Sequence, residues 1–264
     1  MKESEKYTVI TGASSGIGYE TAKAFTSRGK NIIVVARRLN QLESLKNEIS
    51  EKYPEVDVII KGCDLSISEN VYQLYEDLRI YPIETWINNA GFGNYAKVSD
   101  QDLQKVEKML HLNVETLTIL SSLFISDYKD SEGTQLINVS SAGGYTIVPN
   151  AVTYCATKFY VSSFTEGLAR ELEQTQAKMK VKLLAPAATK TEFGKTANDV
   201  AHYDYDKQFG KYHTSEEMAE FLLKLYDSEK TVGLIDRGTF AFRLSDPLFD
   251  YASDTSQNQK ILIE

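Results

Sequence analysis

The chain has 264 residues, of which 42% are hydrophobic and 25% are charged, and Asp and Glu outnumber Lys and Arg by 37 to 29. This composition excludes a largely disordered chain, and the formal net charge of −8 disfavours binding to nucleic acid or to an anionic membrane surface. Since α/β chains of this length are often one domain, we predict a single domain over residues 1–264 that binds a small molecule.

Short runs rich in Val and Ile alternate with longer segments of helical period. This pattern is typical of parallel strands covered by helices on both faces, and right-handed crossovers between them predict a doubly wound Rossmann-type α/β fold. A ligand crevice then lies at the carboxyl ends of a mostly parallel sheet of about seven strands. The predicted strands are residues 7–10, 31–36, 56–61, 85–88, 135–140, 181–185 and 231–235.

Two segments interrupt the alternation of strands and helices. Residues 187–214 follow a strand and mix small, polar and aromatic residues, so we predict a mobile substrate lid there. Residues 238–264 form a C-terminal tail that packs on the domain or mediates contacts. The predicted helices are residues 17–28, 41–52, 69–78, 100–126, 154–173 and 215–226.

A glycine-rich loop connects the first predicted strand to the first predicted helix. Its sequence, Thr-Gly-Ala-Ser-Ser-Gly-Ile-Gly, occupies residues 11–18. Glycine permits positive φ and close backbone approach, and the N-terminus of a helix attracts a pyrophosphate, although glycines also serve ordinary tight turns. The candidate cofactor contacts of this loop are Gly12, Ser14, Ser15, Gly16, Ile17 and Gly18.

The loop resembles that of the short-chain dehydrogenase/reductase family, and the resemblance extends along most of the chain. In that family, the Asn-Asn-Ala-Gly element supports the sheet and borders the cofactor, which assigns Asn89, Ala90 and Gly91 to the cofactor site. The elements that continue the resemblance are residues 88–91 after the fourth strand, Asn113 in the long helix, Ser140 and Ser141 after the fifth strand, and Tyr154 with Lys158 in the next helix.

Tyr154 and Lys158 are the candidate acid/base pair. Tyrosine has a pKa of about 10, and a cation one helical turn away stabilises its phenolate. The resemblance implies that Ser141 binds the substrate oxygen, that Lys158 binds the nicotinamide ribose, and that Asn113 holds a water of a proton relay or satisfies buried backbone. The same four-residue spacing also occurs at Tyr19/Lys23, Tyr203/Lys207 and Tyr226/Lys230, none of which follows paired serines.

Arg37 and Arg38 follow the second strand, where a carboxylate would bind the adenosine ribose and a guanidinium would bind a 2′-phosphate. We therefore predict NADP(H) in preference to NAD(H), with solvation of a helix start as the alternative role of the arginines. Ser15 stands where many NADP-dependent relatives have a basic residue. The resemblance also places Asp64 and Leu65 against the adenine.

Residues 186–191, Pro-Ala-Ala-Thr-Lys-Thr, resemble the Pro-Gly segment of the family, which contacts the nicotinamide carboxamide. That implies cofactor contacts for Pro186, Thr189 and Thr191, although Ala187 replaces the usual glycine. Substrate specificity is expected to lie in residues 91–97 and 191–213, where the aromatic side chains either line a pocket or pack in the core. These side chains, with one from the loop after the fifth strand, are Phe92, Tyr95, Tyr145, Phe193 and Tyr203.

The predicted function is an NADP(H)-dependent oxidoreductase that interconverts a carbonyl and an alcohol, and the alternative is a catalytically silent NADP(H)-binding regulatory protein. The resemblance implies a homodimer or homotetramer. Residues 1–6 are short and polar and no run of about 18 apolar residues follows, so we expect a cytoplasmic protein without a membrane segment. Cys63 and Cys155 have neither disulfide-framework nor metal-ligand spacing, so we expect no metal.

Overall fold

One central β-sheet organises the part of the chain that the computed structural model describes, residues 6–252. Eight strands form this sheet in the order β10-β9-β6-β5-β4-β1-β2-β3, and β7 and β8 form a separate pair. The strands are β1 (Tyr7–Thr11), β2 (Asn31–Ala36), β3 (Val58–Gly62), β4 (Ile83–Asn88), β5 (Gln135–Val139), β6 (Lys180–Ala185), β7 (Thr189–Lys190), β8 (His213–Thr214), β9 (Val232–Ile235) and β10 (Phe242–Ser245).

Helices cover both faces of the sheet. The apolar sides of α1, α2 and α9 pack on one face, and those of α3, α5 and α6 pack on the other. The predicted Rossmann-type α/β fold is confirmed. The helices are α1 (Gly16–Thr26), α2 (Leu39–Lys52), α3 (Ser68–Leu78), α4 (Leu103–Leu110), α5 (Leu117–Tyr128), α6 (Val152–Gln174), α7 (Phe193–Asn198), α8 (Tyr205–Gln208) and α9 (Ser215–Asp227).

The order of the strands determines where a ligand crevice opens. From β1, the chain builds outward to β2 and β3 on one side and to β4, β5 and β6 on the other, all in parallel. The connections therefore leave opposite faces at the carboxyl ends of β1 and β4, where they open a crevice. The four β-branched residues at positions 32–35 of β2 are 0% exposed, as expected for a strand buried on both faces.

Two predicted elements differ from the structure. The sheet has an eighth strand, β10, which pairs antiparallel with β9 and uses part of the predicted tail. The predicted helix 100–126 is interrupted: a short 3₁₀ turn (Val98–Asp100) precedes α4, and a π-helical turn (His111–Thr116) separates α4 from α5. The last part of the predicted tail, residues 253–264, lies outside the described residues.

The helical segment Leu103–Tyr128 meets the length and mean hydropathy of a membrane-spanning helix, although it contains polar residues throughout and no run of about 18 apolar residues. In the structure, 39% of the most apolar stretch of 18 residues in this segment is buried within the protein. Leu120 and Phe124 are wholly buried against the sheet in the same cluster as Trp86. The core helix of a soluble protein meets the same criterion, so this single segment is weak evidence for a membrane span.

Glu166 on α6 connects the C-terminal segment to the domain. Its carboxylate is buried and accepts hydrogen bonds from the backbone N–H groups of Leu248 (2.5 Å) and Phe249 (2.8 Å) and from the hydroxyl of Tyr145. The ring of Phe249 also stacks on Tyr145, with centroids 5.3 Å apart. One buried carboxylate thus fixes both the end of the described chain and the loop after β5.

Replacing Glu166 with Ala is expected to lower the free energy of unfolding by about 2–4 kcal/mol, because three donors lose a charged, buried acceptor. Urea denaturation followed by circular dichroism measures the change. Glu171→Ala, an exposed carboxylate on the same helix, is the control and should change stability by less than about 0.5 kcal/mol. Equal stabilities of the two variants would contradict the role assigned to Glu166.

Candidate active site

A cavity of about 830 Å³ lies at the carboxyl ends of the strands, over the crevice between β1 and β4. Its lining begins at the glycine-rich loop, passes the ends of β2, β4 and β5, and ends under residues 187–214. Of the predicted catalytic and cofactor-binding residues, all except Gly18 and Asn113 line it. The structure therefore brings together residues that lie far apart in the sequence.

The glycine-rich loop meets the Asn-Asn-Ala-Gly element. Gly12 has φ of 69°, and a Cβ there would lie 2.8 Å from the Cα of Ala90. A Cβ at Gly18 would lie 2.5 Å from the carbonyl oxygen of Gly12, so Gly18 permits close packing below the loop and does not face the cavity. Among the described residues, no side chain caps the first turn of α1, which leaves its N–H groups available to an anion.

Asn89 holds β4 against β1. Its amide Nδ2 donates to the carbonyl oxygen of Thr11 (2.8 Å), while the hydroxyl of Thr11 accepts from the backbone N–H groups of Asn89 and Ala90, each at 3.0 Å. Deeper in the sheet, Asn88 donates to the side-chain oxygen of Asn138 on β5 (2.9 Å). These bonds fix the backbone of residues 89–91 along the cavity wall.

Ser141, Tyr154 and Lys158 form one wall of the cavity. The Oγ of Ser141 accepts the N–H of Gly143 at 3.0 Å, and Ser141 and Tyr154 interact through a side-chain hydrogen bond. The Nζ of Lys158 donates to the carbonyl oxygen of Val139 (2.9 Å) and lies 6.0 Å from the ring centroid of Tyr154. The serine and the lysine therefore lie beside the same phenol.

Burial dominates the electrostatics of this wall. It raises the pKa of Tyr154 far above its usual value, and the neighbouring Tyr95 adds to the increase, while the hydrogen bond with Ser141 opposes it. Burial lowers the pKa of Lys158 to about 8. In the protein without ligand, Tyr154 is therefore a protonated phenol at neutral pH, which is the form that a proton donor requires.

Asn113 lies in the π-helical turn between α4 and α5 and faces the turn after β4. Its Nδ2 donates to the carbonyl oxygen of Phe92 (2.9 Å) and to the hydroxyl of Thr157 (3.1 Å), and its Oδ1 accepts the N–H of Phe92 (3.1 Å). Both polar atoms of the Asn113 amide are thus hydrogen-bonded within the protein. This agrees with the alternative role predicted for Asn113, in which it satisfies buried backbone groups. It fixes Gly91 and Phe92 next to Lys158.

The two arginines after β2 differ in their environment. Arg37 is 71% exposed in its side chain and lies 4.0 Å from the carboxylate of Asp64. Arg38 donates to the hydroxyls of Ser14 (3.1 Å) and Ser15 (2.8 Å) on the glycine-rich loop. Both guanidinium groups therefore lie at the end of the cavity next to β2, which β1 and β4 separate from β5 and its following loop.

The segment 187–214 covers the wall formed by Ser141, Tyr154 and Lys158. β7 and β8 pair at its two ends, and the ring of Phe193 on α7 lies 5.3 Å from the ring of Tyr154 and 6.1 Å from that of Tyr95. The backbone N–H of Tyr95 donates to the carbonyl oxygen of Ala197 (2.8 Å). Of the predicted pocket aromatics, Phe92, Tyr95, Phe193 and Tyr203 line the cavity, whereas Tyr145 turns away to Glu166.

Several charged residues of the cavity are absent from the sequence-based site. Glu192 lies beside Arg38, and Lys108, Lys211 and Arg237 also line the cavity. Charged surface side chains follow no periodic pattern in a sequence. These four residues also lie in four separate parts of the chain, so the sequence alone does not indicate that they share one cavity. Within residues 6–252, no cluster of three or more His, Cys, Asp or Glu side chains could hold a metal ion.

Comparison with known proteins identifies the family. The short chain dehydrogenase family model matches residues 6–201. Dehydrogenase/reductase SDR family member 11 of Homo sapiens is 29% identical over 202 residues, 74% of this chain and 77% of that protein. The 7beta-hydroxysteroid dehydrogenase of Clostridium sardiniense is 32% identical over 197 residues, 72% of this chain and 73% of that protein.

A solved structure agrees with the family match. The short-chain dehydrogenase from Sphingobium yanoikuyae in complex with NADPH superposes with a TM-score of 0.79 at 27% identity, covering 87% of each chain. The family match covers the glycine-rich loop, the Asn-Asn-Ala-Gly element and the Tyr154 wall. On this evidence, the chain belongs to the short-chain dehydrogenase family of oxidoreductases.

Proposed function

We propose that the protein is an NADP(H)-dependent oxidoreductase that interconverts a carbonyl and an alcohol, with Tyr154 as the general acid/base. The observation that carries this proposal is the arrangement of one cavity, with Ser141, Tyr154 and Lys158 at one end and the glycine-rich loop and Arg38 at the other. Such a cavity fits an extended dinucleotide. The proposal assigns the pyrophosphate of the cofactor to the glycine-rich loop and the proton donation to Tyr154.

The bound nicotinamide would supply or accept the hydride. In the reductive direction, Tyr154 donates its phenolic proton to the substrate oxygen as that oxygen gains negative charge. Ser141 donates a hydrogen bond to the same oxygen and stabilises the developing alkoxide. Lys158 bears the charge that stabilises the resulting phenolate and binds the nicotinamide ribose, while Asn113 positions the turn beside Lys158.

Contacts at each part of the cavity support the proposed cofactor residues. Arg37 and Arg38 would pair with the 2′-phosphate, and their exposure leaves them accessible to it. The NADPH bound by the Sphingobium yanoikuyae relative supports the same preference. The other proposed contacts are Gly12, Ser14, Ser15, Gly16 and Ile17 for the pyrophosphate, Asp64 and Leu65 for the adenine, residues 89–91 for the cofactor along β4, and Pro186, Thr189 and Thr191 for the carboxamide.

The substrate is proposed to be an apolar ketone or the corresponding alcohol. Phe92, Tyr95 and Phe193 place aromatic rings around the phenol of Tyr154, and such a wall favours a substrate with an apolar body. The name of the Clostridium sardiniense relative, a 7beta-hydroxysteroid dehydrogenase, supports the same substrate class. Residues 187–214 would act as the lid that excludes water from this end.

Binding and turnover together test the proposal. Purified protein is titrated with NADPH and with NADH while nicotinamide fluorescence is followed, and a panel of aldehydes and of small and bulky ketones is then screened for NADPH oxidation. Tighter binding of NADPH and turnover of the bulky ketones are expected. Binding without turnover across the panel would favour a silent regulatory protein, and binding of neither nucleotide would overturn the proposal.

The pH dependence of reduction should follow Lys158. Its pKa is lowered to about 8, so the side chain is cationic below that pH and loses its charge as the pH rises through it. Tyr154 stays protonated over this range, since its pKa is raised. We expect kcat/KM for carbonyl reduction to fall above about pH 8. In Lys158→Arg, which keeps its charge, this decline should move to higher pH, whereas an unchanged decline would assign it to another group.

An assembly through the long helices is also proposed, as a homodimer or homotetramer in the cytoplasm. Leu103 and Leu110 on α4 are 70% and 43% exposed, and Tyr160 on α6 is 37% exposed, so apolar side chains face outward on both helices. Such faces are commonly buried between subunits. Light scattering coupled to gel filtration measures the number of subunits, and a monomer at micromolar concentration would contradict the assembly.

A further inference from the structure

The guanidinium of Arg38 lies between the glycine-rich loop and the start of α7. On one side it donates to the hydroxyls of Ser14 and Ser15, at 3.1 and 2.8 Å. On the other side it donates to the carboxylate of Glu192 at 2.8 Å. Arg38, which belongs to the proposed cofactor site, is thus also hydrogen-bonded to the segment 187–214 that covers the cavity.

Glu192 lies over the phosphate end of the cavity. The preceding residue, Thr191, approaches the loop so closely that a Cβ on Gly16 would lie 2.9 Å from the Cγ2 of Thr191. Ser14, Ser15, Arg38 and Glu192 all line the same cavity. The Glu192 carboxylate therefore lies beside Arg38, one of the side chains proposed to bind the 2′-phosphate.

The charge of Glu192 is maintained near neutral pH, because its hydrogen bond to Arg38 lowers the pKa of the carboxyl, against some burial. A phosphate that approached Arg38 would carry close to two negative charges and would meet a carboxylate already paired with the same guanidinium. Like charges at one site repel, and the phosphate must compete for the donors of Arg38. A cofactor that lacks the 2′-phosphate meets no such competition.

We infer that Glu192 is a specificity-determining residue that restrains NADP(H) binding by occupying Arg38, and that the 2′-phosphate displaces its carboxylate from the guanidinium. This inference rests on the proposed function. It makes the preference for NADP(H) depend on the competition between the 2′-phosphate and Glu192 for Arg38. It also links the start of α7 to the cofactor, because Glu192 is the N-cap residue that immediately precedes that helix.

The test is Glu192→Gln, which keeps the shape of the side chain and removes its charge. Fluorescence titration should show NADPH bound about fivefold more tightly than by the wild type, with the affinity for NADH changed less than about twofold. Glu220→Gln is the matched control: it removes an exposed carboxylate on α9, outside the lining of the cavity. The control should leave both affinities within about twofold of the wild-type values.

A double-mutant cycle with Arg38→Leu identifies the route of the effect. If Glu192 acts through Arg38, the gain in NADPH affinity disappears when Glu192→Gln is made in the Arg38→Leu protein. A gain that persists there would be a general charge effect and would overturn the inference, as would unchanged or weaker NADPH binding by Glu192→Gln. If the wild type binds neither nucleotide, the proposed function itself fails, so the two failures are distinguishable.

Discussion

Tyr154→Phe is expected to lower kcat for carbonyl reduction by about 10²–10⁴-fold while the dissociation constant for NADPH changes less than about threefold. The substitution removes only the hydroxyl that is proposed to donate the proton. The ring remains, and its contacts with Tyr95 and Phe193 hold it in place, so the cavity keeps its shape. Steady-state kinetics and fluorescence titration on the same preparation measure the two quantities.

Tyr95→Phe is the matched control for this prediction. Tyr95 lines the same cavity, its ring centroid lies 6.2 Å from that of Tyr154, and burial raises its pKa to about 12. Among the described residues, the groups that shift its pKa are two tyrosines and a cysteine, with no cation, so removal of its hydroxyl should change kcat less than about fivefold. If Tyr95→Phe abolished turnover and Tyr154→Phe retained it, the assignment of the acid would be wrong.

The fold class could be predicted because its signals are local. The wholly buried run at positions 32–35 in β2 and the glycine turn before α1 each reflect the environment of one short segment. β10 could not be predicted in the same way. It is half-exposed at the edge of the sheet, so burial imposes no apolar pattern on it, and only its pairing with β9 makes it a strand.

The π-helical turn in the long helix coincides with tertiary contacts that the sequence does not reveal. The sequence of residues 111–116 is compatible with an uninterrupted helix, and no Pro or Gly marks a break. In the structure, the side-chain amide of Asn113 accepts a hydrogen bond from the backbone N–H of Phe92 and donates one to its carbonyl oxygen. The hydroxyl of Thr116 donates to the carbonyl oxygen of Leu65 (2.5 Å). Contacts with two loops at the cavity accompany the irregular turn, as is common at functional sites.

Charged groups that act over long sequence separations were the least predictable part of the molecule. Lys182 lies on a central strand where an apolar residue is expected, and its Nζ donates to the carbonyl oxygens of Leu225 (2.7 Å) and Tyr226 (3.0 Å) at the end of α9. Glu166 and Glu192 likewise bind groups from distant segments. Only the folded chain brings such partners together, since neither partner alone follows a local pattern.

Replacing both Arg37 and Arg38 with Leu is expected to weaken NADPH binding by about 10²-fold and NADH binding by less than about threefold. The two proposed charge-assisted hydrogen-bonding partners of the 2′-phosphate are lost, and each such partner contributes about 1.5–3 kcal/mol where it is well placed and less where it is exposed to solvent. Titration of the double variant with both nucleotides measures the change in preference. Arg37 is largely exposed, so its loss alters the shape of the site little, whereas the loss of Arg38 also removes hydrogen bonds to Ser14, Ser15 and Glu192.

Lys46→Leu, which removes a cation from the exposed side of α2 outside the lining of the cavity, is the control for net charge and should leave both affinities nearly unchanged. An equal loss for NADPH and NADH would place the arginines at the pyrophosphate or in the fold, and no loss for either would remove the basis for an NADP(H) preference. Salt provides an independent check. Because Arg37 is 71% exposed, the wild-type advantage of NADPH over NADH should shrink as ionic strength rises, and the double variant should show little such dependence.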